Sequence, residues 1–393
     1  ITVTAPNTST DRTITLPDST DTLIGTATSD ALTTRINAGN GRKNMLYNGA
    51  MNVWQRGTTS LTGVGASTET YMADRFKFTS SGDSRYTLSR EADAPAGFKY
   101  SYKFDCTTVG TSTGTSRSYL EQGIEGQDLQ HLQKGLATTQ PVTLSFWAKT
   151  VITGVTDPVF RVNLQDASNT RILGGTYTYD TSTGGWQKFT ITFVGDTANA
   201  ITDNEAKGMF VEWWLYDYGY YSSGARPTSW ESQADGDRNS NSTGNVAGHT
   251  SNYWQIAGVQ LEIGSVATDF EHRSYGEELA LCQRYFERFD YDKSGGGVAG
   301  MAGQCHETSV LYGSFHYQPK RVDPTVSTST VSGSNFRVLH SGTATNVTSF
   351  AFNASRNCTR IGASTGSGLT VGRAGILDTG SSQGQYIDID AEL

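Results

Sequence analysis

The chain has 393 residues, enough for two or three folded units. Glycine is abundant at 44, proline scarce at 8, and only 17% of residues are charged, a mixture that favours short strands and polar turns over long helices. The net charge of −8 argues against a nucleic-acid ligand, which wants a basic stripe, and no apolar run approaches the length of a membrane span.

The chain opens on Ile1 with no signal-peptide pattern, which reads as a fragment or processed product. Residues 1–42 hold two short alternations, ITVTA and TITLP, and then a polar stretch with little to bury. Such a segment forms no core alone and is expected to pair with copies of itself or with another chain. From 43 to 274 strand candidates follow one another: DRFKFT, RYTLSR, KYSYKFDC, VTLSFWAKT, PVFRVNLQD, WQKFTITFVG, GMFVEWWLYDY and YWQIAGVQLEIG. In VTLSFWAK, Val142, Leu144, Phe146 and Ala148 share one face, and Thr143, Ser145 and Trp147 the other. In WQKFTITFV, Phe189, Ile191 and Phe193 oppose Lys188, Thr190 and Thr192. Period-two patterns broken by Gly, Asp and Ser turns describe an all-β fold, an antiparallel β-sandwich of the jelly-roll kind.

GEELALCQRYFERF spaces Leu279, Cys282, Phe286 and Phe289 as a helix would, with Glu277 and Glu278 in its first turn. This predicts one connecting helix within 275–293, broken by SGGGVAG. Residues 294–393 resume β-patterning and form a second, smaller β domain. Cys106, Cys282, Cys305 and Cys358 are scattered, with no CxxC pair. Buried free thiols are expected.

The ordered series NMLYNGAMNVWQRG (44–57), YMADRFKF (71–78), YLEQGIEGQDL (119–129), VTLSFWAK (142–149), WQIAGVQLEIGSVATDFEHRSYGEELALCQRYFER (254–288) and YIDIDAEL resembles tail-fibre and related appendage proteins of tailed bacteriophages. TLPDSTDTLIGTATSDALT resembles their stem-side segments. The resemblance implies a homotrimeric virion protein, extracellular when mature, joined to other tail proteins through its N-terminus. It implies a jelly roll like those of carbohydrate-binding modules and a β-rich tip, used for attachment to a bacterial surface glycan or other receptor. It carries no catalytic motif and names no site.

The aromatic-rich stretch FVEWWLYDYGYYSSGARPTSW (210–230) supplies the candidate site. Strand parity puts Val211, Trp213 and Leu215 on one face, and Glu212, Trp214, Tyr216, Tyr218 and Tyr220 on the other. Rings stack on the C–H faces of sugars while hydroxyls and carboxylates bond sugar hydroxyls, so these residues, with Trp230, are the candidate glycan or receptor site. Three other arrangements compete: a subunit interface, cover by the long polar loop 222–252, or a strand sandwiched on both sides.

DGDRNSN places Asp235, Asp237, Asn239 and Asn241 at alternate positions, but Ser240 stands where a calcium loop needs Gly and no Glu follows, so a solvated loop is expected. GTSTG (110–114), GASTG (362–366) and GGGVAG (295–300) match nucleophile or dinucleotide patterns without the required strand-turn-helix setting. Cys305, His306 and His316 read as ordinary side chains rather than metal ligands. Asp388 and Asp390 share a strand face, suited either to acidic rings in a trimer or to solvent. The expectation is thus an attachment protein with no cofactor, no metal, no nucleic-acid partner and no membrane insertion. The alternatives are a purely structural virion appendage and a tailspike-like glycan hydrolase, which would need two carboxylates across a bond.

Overall fold

A computed structural model describes residues 42–111, 114–290, 299–379 and 384–393. The expected stem, apart from Arg42, lies outside the described residues, as do most of GGGVAG and the centre of GTSTG.

The first part of the chain forms β1 (Leu61–Gly65), β2 (Thr68–Tyr71), β3 (Lys77–Ser81), β4 (Arg85–Glu91), β5 (Ser101–Thr108), β6 (Arg117–Glu125), β7 (Val142–Val151), β8 (Val159–Asp166), β9 (Arg171–Thr178), β10 (Gln187–Phe193), β11 (Lys207–Asp217), β12 (Glu231–Ser232) and β13 (Tyr253–Ile263). These strands make two antiparallel sheets. One runs β1-β4-β5-β13-β7-β10, and the other β12-β9-β8-β11-β6-β3-β2. The chain crosses repeatedly between them, as in a jelly roll.

The alternation read from the sequence sets the inner faces. Phe146 stands opposite Phe189 and Leu144 opposite Ile191 across the β7–β10 pair. Phe146 and Leu144 are buried and the two β10 residues pack against the same core. Facing strands add Phe78, Tyr86, Tyr102, Phe104, Trp213 and Trp254. Phe78 meets Tyr86 and Phe104 at ring-centroid distances of 5.1 Å. Trp254 donates its indole N–H to the Tyr177 hydroxyl at 2.7 Å. Each fully buried ring of this kind contributes about 1.5–3 kcal/mol.

The connecting helix is shorter than the sequence spacing predicts. α1 covers Tyr275–Gln283 only, with the Ser274 hydroxyl accepting the Glu277 N–H at its start. The residues after it become β14 (Phe286–Asp290). Strand pairing overrides the helical spacing there, because Phe286 to Asp290 run antiparallel to β22 (Tyr386–Asp390) and the Arg288 guanidinium grips Asp388 through two 2.7 Å bonds. Asp388 therefore serves an ion pair within the chain, and Asp390 does likewise with Arg56. Neither is a free acidic position.

The remaining strands are β15 (Ala299–Glu307), β16 (Val310–His316), β17 (Thr325–Thr328), β18 (Arg337–His340), β19 (Thr343–Ala354), β20 (Cys358–Thr365), β21 (Ala374–Asp378) and β22. β15-β16-β20-β19-β18-β21 close into a small barrel, while β14-β22-β17 form a three-stranded sheet. Cys305, Leu311, Phe336, Val338 and Ile361 fill the barrel core. All four cysteines are free, and three of them are buried. His316 stands opposite Cys358, not Cys305.

Residues 391–393 return to the sandwich. Glu392 pairs with the fully buried Arg75 and with Arg56. The Arg75 guanidinium lies 3.4 Å from the Tyr285 ring centroid and donates to the Gly123 carbonyl at 2.8 Å. Removing the Glu392 charge strands Arg75 without a counter-ion, and breaking a buried pair this way costs about 3–5 kcal/mol. Glu392→Gln should therefore lose that much in denaturant unfolding. Asp390→Asn, at a more exposed pair, should lose under about 1 kcal/mol.

Candidate functional site

β11 carries the aromatic stretch singled out in the sequence, and the structure divides its residues. Glu212 and Trp214 lie on the outer face of their sheet, as parity predicts, but both are 0% exposed. The Glu212 carboxylate accepts from Asn163 Nδ2 at 3.0 Å and Gln165 Nε2 at 2.6 Å, and pairs with Arg238. Arg238 belongs to the loop 222–252, which lies across this face. Its guanidinium sits 5.1–5.5 Å from the ring centroids of Tyr119, Trp214 and Tyr221. Those three rings form a small cluster of their own. Burial alone would favour a neutral guanidine, yet the adjacent Glu212 outweighs it and the Arg238 pKa is raised. The loop is also tied down by Asn239 N–H to the Tyr221 carbonyl at 2.7 Å and Thr243 N–H to the Val159 carbonyl at 2.8 Å. Of the competing arrangements, cover by the loop is the one seen.

Tyr216 departs from parity altogether. The β11–β6 register slips between Trp214 and Tyr216. A bulge of this kind turns the following side chains over, and Tyr216 joins the main core between the sheets. Burial raises its phenol pKa to about 12. Trp230 is partly buried against that core and donates its indole N–H to the Val194 carbonyl at 2.7 Å. Only Tyr218 and Tyr220 remain open, at 46% and 47% exposure. The six residues thus do not form one exposed row. Within the loop, Asp237 accepts the Ala225 N–H at 2.8 Å and Asp235 faces Arg238, so these acids serve the loop itself.

The other sheet shows a different outer face. Trp147 shares the polar side of β7 with Thr143 and Ser145 and is partly exposed. It stands opposite Lys188 on β10 and Ala257 on β13. Trp186, also partly exposed, lies one residue before β10. Its indole N–H donates to Asp93 at 3.0 Å, and Lys149 Nζ donates to the second Asp93 oxygen at 2.7 Å. That lysine bond, with help from Trp186, holds the Asp93 carboxyl below the usual range. Tyr253 lies on the same face beneath Lys103, whose Nζ is 4.7 Å from the ring centroid. Phe98, Phe270 and His272 cluster nearby at 4.9–5.4 Å.

Gly258 permits this arrangement. It has φ +62°, a left-handed conformation that disfavours side chains. A Cβ there would lie 2.6 Å from the Phe98 ring and 2.9 Å from Trp147 Cδ1. The face presents two tryptophans and a tyrosine among Lys103, Lys149, Lys188 and Asp93, all partly or fully exposed. Its sequence signal was present: Trp147 breaks the polar side of an otherwise regular alternation.

No protein-family model matches this sequence, and neither does any curated protein. Among solved structures, the chain is similar to the enzymatically active domain of tailspike protein 4 of bacteriophage CBA120, at 11% identity and a TM-score of 0.27, over 48% of this chain and 19% of that one. The carbohydrate-binding module TmCBM61, solved with β-1,4-galactotriose, matches at 9% identity and 0.27, over 56% of this chain and 99% of the module. The CBM22-1 xylan-binding domain of Xyn10C from Paenibacillus barcinonensis matches at 9% and 0.25, over 53% and 95%. The chain spans about a fifth of the length of the tailspike chain. Similarity of this size is a likeness of β-rich architecture and assigns no ligand or activity here.

If Arg238 pins the loop, Arg238→Met leaves Glu212 buried and unpaired and costs about 3–5 kcal/mol. Trp214→Ala should cost about as much. Tyr218→Ala, at an exposed position, should stay within about 0.5 kcal/mol of the parent. Chemical denaturation measures all three, and proteolysis within 222–252 should quicken only in the first two.

Proposed function

We propose that the chain is a non-catalytic glycan-binding appendage protein of the tailed-phage type, and that it holds its ligand on the outer face of the β1-β4-β5-β13-β7-β10 sheet. The observation that carries this reading is the pair Trp147 and Trp186. Both are partly exposed, Trp147 on β7 beside the exposed Lys188 and Trp186 just before β10, while Thr143, Ser145 and Gln255 on the same face are buried. Flat rings offer apolar contact to pyranose C–H groups, while the surrounding ammonium and carboxylate groups can bond hydroxyls.

Binding without cleavage fits the acids on this face. A glycosidase needs one carboxyl kept protonated near neutral pH, whereas Asp93 is pulled the other way by Lys149. The phage-appendage role rests on the sequence blocks quoted above, and the trimer on the same resemblance. Three copies on one particle would turn weak single-site affinity into firm attachment through effective concentration.

A screen of the protein against arrayed bacterial surface polysaccharides tests the reading. Trp147→Ala and Trp186→Ala should each weaken the signal at least tenfold, equivalent to about 1.4 kcal/mol, with melting lowered by only a few degrees. Signals indifferent to both substitutions would refute this face. Release of shortened oligosaccharides by the parent protein would refute the non-catalytic role.

A further inference from the structure

Beside the tryptophan face, the open edge of β10 and the edge of β9 border a groove of about 250 Å³. That is below the range of about 300–1,000 Å³ that holds a drug-sized ligand, and it suits one sugar unit or its substituent. Gly174 and Gly175 form part of its wall, Thr190, Thr192 and Thr228 line it with hydroxyl groups, and Arg226 supplies its charge. Thr190 and Thr192 continue the strand face of Lys188, each step of two residues covering about 7 Å. The groove is therefore contiguous with the face bearing Trp147 and Trp186.

Its electrostatics are unusual for a chain of net charge −8. Arg226 donates to the Gly174 carbonyl at 3.2 Å and has no carboxylate within ion-pair distance among the described residues. Arg161 stands just behind it. The Arg161 guanidinium occupies the space a Gly174 side chain would need, since a Cβ there would fall 1.8 Å from Arg161 Nη2. Arg161 is 0% exposed, bonds Asn163 Oδ1 at 2.8 Å and the Asp237 carbonyl at 3.5 Å, and keeps Nη1 without a partner. Burial first, and then the neighbouring Arg226 charge, lower its pKa to about 10. Glu212, Asp237 and Glu231 act in the opposite sense. Glu212, however, is paired with Arg238, Asp237 is bonded to the loop backbone, and Glu231 is exposed. Two guanidinium groups thus converge on the Gly174 peptide with no directly bonded carboxylate.

We infer that this groove receives the anionic substituent, carboxylate or phosphate, of an acidic glycan whose neutral rings lie on Trp147 and Trp186. The inference rests on the proposed glycan-binding face and adds the ligand class. Guanidinium groups are matched to planar carboxylate and to phosphate oxygens, and Lys188 lies along the path from Trp147 to the groove.

Affinity electrophoresis with two matched pairs of probes tests it: oligogalacturonate against neutral galactose oligomers, and phosphomannan against neutral mannan. At least one acidic probe should bind ten-fold or more tightly than its neutral partner, and which pair shows the gain identifies carboxylate or phosphate. Added NaCl should shrink the gain, and Arg226→Gln, checked for an unchanged melting temperature, should abolish the acidic-to-neutral ratio. Trp147→Ala should weaken acidic and neutral probes alike. Equal binding of acidic and neutral probes, or a preference that survives Arg226→Gln, overturns the acidic class while leaving the tryptophan face standing. No binding of any probe to the parent overturns both.

Discussion

The Glu212 carboxylate has no contact with water, and the layout of the sandwich on its side follows from how that charge is met. Taking an unpaired carboxylate out of water costs far more than a single packing contact returns. Asn163, Gln165 and Arg238 together satisfy it, and Arg238 arrives only because the loop 222–252 folds back over the sheet. Once there, its guanidinium is also held against Tyr119, Trp214 and Tyr221. Polar and aromatic groups that would otherwise offer a binding surface are consumed in closing one side of the molecule. On the other sheet, Trp147 and Tyr253 stay partly exposed on the outer face.

That asymmetry organises the rest. The sealed sheet also receives the residues that join the sandwich to the second β unit, through Arg75, Glu392 and the Arg284–Glu125 pair. Structural charge pairs concentrate there, where they are buried and matched. On the open side the ion pairs are exposed, as between Lys149 and Asp93. Exposed pairs of this sort contribute little to stability. The buried charge pairs and the proposed binding face thus lie on opposite sides of one scaffold.

Much of this was legible in the chain. The alternations in β7 and β10 gave the correct inner faces, because one buried side imposes a strict period of two. The same rule failed at Tyr216, where a register slip inverted the count, and local sequence carries no mark of a bulge that tertiary packing selects. The helical spacing from Leu279 to Phe289 was real but lost to pairing with β22 beyond Gln283, since the competing strand lies 100 residues away. The loop's cover over Trp214 depends on Arg238 meeting Glu212 across 26 positions, a contact no local pattern announces. Trp147 was placed on the polar face of its strand correctly. Trp186 and Tyr253, which join it on that side, come from segments distant in sequence, so no local pattern groups them.

Which sheet face is open decides where a ligand can lie. Hydroxyl-radical footprinting read out by mass spectrometry at single tryptophans measures this most directly. Trp147 and Trp186 should oxidise fast, Trp214 should oxidise as slowly as the core residues Trp213 and Trp254, and a bound polysaccharide should protect the first two alone. Rapid oxidation of Trp214 with Trp147 and Trp186 protected in the free protein would contradict it.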